Sequence, residues 1–241
     1  MIALLSDFGY SEYVGVMKGI IFGISPKSTV ADLCHNIAPQ NIKEGAWILL
    51  QNYVHFPRKT IFLAVVDPGV GSKRQPVAIE TKNYYFVGPD NGLVWPAANE
   101  DGIKNVVALS VENASSTFHG RDVFAKAAAK LDKHIRLGEL GKKTALKEKL
   151  EFHLSGREGE IVHIDSFGNI ITNLTAMDKK EYIVRTKNLS KKMKFFRTYD
   201  EAPENGLFLV VGSNGTLEIS IKNKSAAGKM GIKLGAILSI T

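Results

Sequence analysis

The 241-residue chain has a single cysteine, Cys34, so no disulfide can form within it. That fits a reducing compartment. Its six histidines, at positions 35, 55, 119, 134, 153 and 163, include no pair at a short spacing such as H-x-x-x-H. Cys34 and His35 are adjacent, a poor geometry for one ion, so no metal is expected. Phosphate-binding signatures are missing as well. The one glycine-rich stretch that follows a strand-like run, Asp67-Pro68-Gly69-Val70-Gly71-Ser72, has neither the Gly-Lys-Ser/Thr ending of a P-loop nor the G-x-G-x-x-G of a dinucleotide fold. Neither ATP nor NAD is expected. No window approaches the roughly 18 apolar residues of a membrane span. The N-terminal run MIALLSDFG reaches Asp7 without a basic segment of the kind that opens a signal peptide. There is no internal repeat and no low-complexity tract. The expectation is a soluble, cytoplasmic protein.

Basic residues are in excess, 31 Lys/Arg against 24 Asp/Glu, for a net charge of +7. Such a balance raises the question of a nucleic-acid partner. It is sharpest in residues 179–197, where eight Lys/Arg are interleaved with Tyr182, Phe195 and Phe196. A solvated, lysine-rich strand face accounts for the same pattern, and nucleic acid is not the expected partner.

The apolar pattern divides the chain. Residues 2–5 read as a buried strand, and Ser11 stands where it can cap a helix running to about Ile24, with Met17, Ile20, Ile21 and Ile24 on one face. Gly15 and Gly19 are costly inside that helix and point to close packing or a close ligand. A second strand is expected at 29–33. The capping box Asn41-x-x-Glu44 then opens a helix that Pro57 stops. Residues 60–66, rich in β-branched side chains, suit a strand buried on both faces. Alternating strands and helices imply a mostly parallel sheet. A hairpin at 77–80 and 84–87, a strand at 105–109 and an alanine-rich helix at 123–131 complete this part. From about residue 150 the texture changes to short strand-like runs at 160–164, 169–174, 181–184, 192–196, 207–211, 216–221 and 236–240. The expected architecture is an α/β N-terminal domain with a mostly parallel sheet, residues 1–150, plus a smaller all-β barrel-like C-terminal domain, residues 151–241.

Ligands of open α/β sheets bind beyond the carboxyl ends of the strands. Asp7 and Asp67 follow two such ends. Thr117-Phe118-His119-Gly120-Arg121-Asp122 precedes the alanine-rich helix, and Asp165-Ser166-Phe167-Gly168-Asn169 follows the first strand of the second domain. Each alone is also compatible with an ordinary turn or cap.

In order along nearly the whole chain stand LSDFG, YVGVMKG, DPGVGS, PDNGL, TFHGRD, DSFGNIITN and GSNGTLEIS. This series resembles the SAM hydroxide adenosyltransferase family, the adenosine-forming S-adenosyl-L-methionine (SAM) hydrolases, which are related to SAM-dependent fluorinases and chlorinases. The resemblance implies hydrolysis of SAM to adenosine and L-methionine, with no cofactor. It further implies a homotrimer whose sites lie between neighbouring subunits. The family's catalytic Asp, Arg and His fall on Asp67, Arg74 and His119. Of the binding residues, Asp7 matches the acid that grips the ribose diol, Asp165 the acid that pairs with the methionine ammonium, and Asn169 the residue that reads adenine. Ser213 and Glu218 lie in the methionine-contacting segment. Phe118 and Phe167 suit packing on the adenosyl group and packing in a core equally, Gly120 belongs with the substrate-binding residues, and Gln40 stands where the halogenases place a Trp. The halogenases also carry a Tyr in place of Asp67, a Ser in place of Gly120, and a long insertion for which the tight connection from Ile79 to Phe86 leaves no room. A carboxylate at 67 repels halide and accepts a proton from water, so the resemblance implies water as nucleophile. Two other readings stand beside this one: a basic nucleic-acid-binding module, and a non-catalytic SAM or adenosine binder.

Overall fold

A computed structural model describes residues 1–241, which divide into two units, Met1–Leu150 and Glu151–Thr241. The first opens with β1 (Ile2–Ser6), α1 (Glu12–Ile24), β2 (Val30–Cys34), α2 (Ile42–Asn52) and β3 (Ile61–Val65). It continues with β4 (Pro76–Thr81), β5 (Tyr85–Pro89), α3 (Trp95–Asp101), β6 (Ile103–Leu109), α4 (Ala125–Asp132) and β7 (Gly141–Lys143). The sheet order is β2-β1-β3-β5-β4-β6-β7. The first four neighbours pair in parallel, β4 runs against both β5 and β6, and β7 runs against β6.

Every residue of β1 and β3 is buried because the sheet is covered on both faces. Ile2, Leu4, Ile61, Leu63 and Val65 face one layer, with Met17 and Ile21 of α1 and the alanines of α4. Ala3, Leu5, Phe62 and Ala64 face the other, with Leu49 of α2 and Ala97 and Ala98 of α3. Alternation along each strand distributes the side chains, and each buried Leu or Ile contributes about 1.5–3 kcal/mol.

Several local expectations are revised. Ser11 occupies the N-cap of α1, but its side chain makes no capping bond. The capping box of α2 is half-formed: Asn41 accepts the Glu44 N–H at 3.0 Å, while the Glu44 carboxylate turns back to the Ala38 N–H at 2.9 Å. That helix ends at Asn52, and a 3₁₀ turn, Tyr53–His55, bridges to Pro57. The alanine-rich helix begins later than its pattern suggests, because a π-turn at Gly120–Phe124 precedes it.

The second unit is all antiparallel within its sheet: β8 (Glu158–Ile164), β9 (Ile170–Thr175), β10 (Glu181–Thr186), β11 (Leu189–Lys194), β12 (Phe208–Val211), β13 (Thr216–Ser220) and β14 (Ile237–Ile240), with a short α5 (Ala226–Met230). The order is β11-β10-β14-β8-β9-β13-β12. A bridge between Phe195 and Leu209 links the two edge strands, bending the sheet into a nearly closed barrel. β11 begins three residues before the expected strand. Thr186 pairs with Leu189, so Lys187 and Asn188 form a two-residue hairpin that sets the register even though the next residues are polar.

Candidate active site

β1 and β3 are neighbours in register, Ser6 opposite Val65, so the chain leaves both strands at one carboxyl edge. Asp7 and Asp67 emerge there together. They line a cavity of about 690 Å³ with Phe8, Tyr13, Gln40, Phe118, His119 and Gly120. The volume lies within the range usual for small-molecule sites.

After Asp67 the chain folds tightly back. The Val70 N–H donates to the Asp67 carbonyl and the Ser72 N–H to the Gly69 carbonyl. Gly71, at φ +77°, lies so close to the Ser116 carbonyl that a Cβ would fall 2.5 Å from its oxygen; only glycine fits. The reversal lays Arg74 over Asp67. Arg74 Nε donates to Asp67 Oδ1 at 2.8 Å, and Nη2 donates both to Asp67 Oδ2 and, at 2.8 Å, to His119 Nδ1. Arg74 Nη1 is buried with no protein partner. The guanidinium also sits 5.4 Å above the Phe124 ring.

Guanidinium has no lone pair to offer, so His119 Nδ1 is the acceptor and a neutral ring carries its proton on Nε2. Burial lowers the His119 pKa from its ordinary value, and the Arg74 charge lowers it further, against the opposing pull of Asp67 and Asp122. The π-turn that follows His119 is a distortion common at functional sites. It is pinned by Asp122, which accepts the Ser115 N–H at 2.9 Å and both arms of Arg121; the Arg121 guanidinium holds that carboxyl down to about 2.

The structure brings Asp7, Asp67, Phe118, His119 and Gly120 to one cavity, with Arg74 bonded to Asp67 and His119. Gly120 has a steric role: a Cβ there would lie 2.9 Å from the Phe118 ring and 3.1 Å from Met17 Sδ. Tyr13 was not singled out in the sequence. It forms an edge-to-face trio with Phe8 and Phe118, at centroid distances of 5.5, 6.0 and 5.1 Å. Its place at the start of YVGVMKG, in the first turn of the helix that follows Asp7, was the available signal.

The remaining predicted residues gather in the second unit. Asp165, Phe167, Asn169, Ser213 and Glu218 line a cavity of about 1040 Å³ there, together with Tyr199. Asp165 Oδ1 accepts the Phe167 and Asn169 N–H groups at 3.0 and 2.8 Å, and Oδ2 accepts Asn169 Nδ2 at 2.9 Å. Tyr199, also unforeseen, donates its hydroxyl to Glu218 at 2.8 Å. Burial pushes the Glu218 carboxyl up, aided by the Asp165 charge, and pushes the Tyr199 hydroxyl up to about 12. Phe167 is largely exposed, not part of a core. The aromatic residues of the basic segment behave oppositely: Tyr182 and Phe195 pack in the barrel core, and Phe196 packs beside Phe208. They leave no ladder of exposed rings on which bases could stack.

No three His, Cys, Asp or Glu side chains gather so as to hold a metal ion, and no helix is long and apolar enough to cross a membrane. Residues 2–141 match the model of the SAM hydroxide adenosyltransferase N-terminal domain, and residues 159–239 that of the C-terminal domain. A protein of Methanocaldococcus jannaschii named (R)-S-adenosyl-L-methionine hydrolase is 39% identical over 91% of this chain and 88% of its own length. One of the same name from Thermus thermophilus is 34% identical, covering 96% and 95%. Fluorinases also match, at lower identity. The crystal structure of an uncharacterized conserved protein from Thermotoga maritima superposes with a TM-score of 0.92 at 32% identity, covering each chain fully.

Proposed function

The chain belongs to the SAM hydroxide adenosyltransferase family, and on that premise we propose that it hydrolyses SAM to adenosine and L-methionine by attack of water on C5′. The observation that carries this reading is that Arg74 bridges Asp67 and His119, both of which line the cavity. Methionine leaves as a neutral thioether from a sulfonium, so departure needs no general acid and no cofactor. What the enzyme must supply is a water held in line with the C5′–S bond, opposite sulfur. Arg74 occupies one lone pair on each Asp67 oxygen, and a second on each remains able to accept from water. His119 Nε2–H is a donor suited to the hydroxide character that develops as the C–O bond forms, and the Arg74 charge behind Asp67 and His119 favours it. Fixing the water and C5′ in one geometry contributes up to about 7–11 kcal/mol in well-oriented systems.

Asp7 is the acceptor for the ribose diol, and Asp165, Asn169, Ser213 and Glu218 bind the adenine and methionine ends. The sulfonium epimer is the R form that the relatives' names specify. The protein works as a cytoplasmic homotrimer with sites completed by a neighbouring subunit. A nucleic-acid module is disfavoured by the inward packing of Tyr182, Phe195 and Phe196. A non-catalytic binder would have no use for the Asp67–Arg74–His119 set.

Hydrolysis in ¹⁸O-labelled water should place one label in the adenosine 5′-hydroxyl, read by mass spectrometry. Unlabelled adenosine would rule out water attack at C5′, and release of adenine or methylthioadenosine would show that a different bond breaks.

His119 acts as the neutral imidazole. Because folding lowers its pKa from 6.5, turnover should persist as pH falls through that value and decline on a limb below it. The unfolded chain takes up its proton first, so the associated stability is complete above about 6.5 and is lost as pH falls below it. The residual activity of His119→Asn should lack this limb; an unchanged acid limb in the variant would assign it to another group.

A further inference from the structure

Asp7 is held by a segment that has no place in the chemistry described so far. Ser6, the last residue of β1, is fully buried, and its Oγ lies 2.7 Å from His35 Nδ1. His35 Nε2 lies 3.1 Å from Asp32 Oδ1, and Lys18 Nζ donates to Asp32 Oδ2 at 2.6 Å. Asp32 accepts from both and is held below the usual carboxylate range: burial acts against this, and the Lys18 and His35 hydrogen bonds outweigh it. The directions follow. An ionised Asp32 can only accept, so His35 donates to it from Nε2–H, which leaves Nδ1 as acceptor for the Ser6 hydroxyl. Ser6 Oγ in turn accepts the Phe8 N–H at 3.4 Å, and the His35 carbonyl accepts the Gly9 N–H at 2.8 Å. On the far side of the same loop, the Gln40 N–H donates to Asp7 Oδ2 at 2.7 Å from a left-handed backbone at φ +66°.

The set Ser6–His35–Asp32 has the residue types of a hydrolytic triad. Ser6, however, is sealed from solvent and does not line the cavity, so it is no nucleophile. All these bonds converge instead on the turn that carries Asp7 and Phe8 into the cavity. The loop after β2 grips that turn at three points: its own carbonyl at 35, the imidazole at 35 and the N–H at 40.

We propose that His35, ordered by Asp32, is a positioning residue that fixes the Asp7 carboxylate for the ribose 2′,3′-diol. The proposal rests on the assignment of Asp7 to the diol. His35 touches no reacting atom, so it governs ground-state binding of the ribose and leaves the water site alone.

The test compares adenosine with 2′,3′-dideoxyadenosine as ligands of the full-length protein by calorimetry, beside SAM kinetics. The wild type should prefer adenosine, and Asp7→Ala should lose that preference. His35→Ala should lose about tenfold of it, the scale of one or two hydrogen bonds, and raise KM for SAM by a similar factor, with kcat within about threefold of wild type. His35→Asn, whose amide oxygen reaches the place of Nδ1, should restore the preference, whereas His35→Gln should not. If His35→Ala does not fold, Asp32→Asn, on a half-exposed side chain, should show the same selective loss at smaller size. Preference lost in Asp7→Ala but intact in both His35→Ala and Asp32→Asn would overturn the proposal alone. Preference intact in Asp7→Ala would overturn the diol assignment and the proposal with it. Equal loss for both ligands in His35→Ala would show a merely structural residue and overturn it as well.

Discussion

Asp67→Asn should lower SAM turnover by about 10²–10⁴-fold, the range typical of a positioned proton acceptor. The substitution keeps size but removes the charge, and its amide nitrogen would face the Arg74 N–H groups, donor against donor. Two losses follow from one atom. Water loses its acceptor, and Arg74, which is only 9% exposed, loses its counter-charge. Removing one partner of a buried pair commonly costs about 3–5 kcal/mol, so the thermal midpoint should also drop. SAM binding should change far less, because Asp7, Asp165 and Asn169 remain. Arg74→Ala and His119→Ala should also cut turnover, and double variants should lose less than the product of the single effects, since the three act on one water. Steady-state kinetics with product chromatography, with calorimetry for binding, separates these terms. Near-normal turnover in Asp67→Asn alongside inactive Asp7→Asn would move the water site away from Asp67. Weak binding but normal saturated turnover in all three single variants would make the trio a binding element only.

Gly19→Leu should break the proposed trimer into monomers and abolish most activity at dilute enzyme. Gly15, Gly19 and Gly23 recur every four residues along α1, on one face. A Cβ at any of them meets nothing within 4 Å in this chain. Each glycine costs about 1 kcal/mol of helix stability relative to alanine, a cost that nothing inside the subunit explains. Tyr13, Val16 and Phe22 of the same helix are large and exposed. A second subunit closing on this helix would account for both features and would fit a site shared between subunits. Leucine should thus stabilise the isolated helix while blocking close approach of a neighbour. Light scattering and activity across a dilution series read the two effects. A Gly19→Leu protein that stays trimeric and fully active would remove α1 from the interface, and a fully active wild-type monomer would remove the shared site.

Much of the site could be seen in the chain because its acids sit at the ends of the clearest strands. β1 is apolar up to its last residue, Ser6, and β3 is apolar throughout, and parallel pairing sends both carboxyl ends to one edge; Asp7 follows β1 directly, and Asp67 follows β3 after Val66. Elements without such a signature were missed. α3 is short and carries proline in its first turn, and β7 is only three residues, Gly141–Lys143, in a lysine-rich stretch. The π-turn at Gly120–Phe124 has no periodic signature, because it adds a residue to a turn within a continuous helical pattern. Tyr199 lies outside any strand, and only packing brings its hydroxyl to Glu218.

The longer strands and helices, the change of texture near residue 150 and the acids at the strand ends were determined by sequence alone, since period and burial are local properties of the chain. Tertiary structure decided which groups meet. Arg74 and His119 are 45 residues apart, and their contact depends on the tight reversal after Asp67 and on the backbone distortion after His119. The same holds for His35, which reads as an isolated histidine beside a cysteine until parallel pairing of β1 with β2 sets it against Ser6. Directional bonds between side chains distant in sequence depend on distances of a few tenths of an ångström, and only the packed fold sets those.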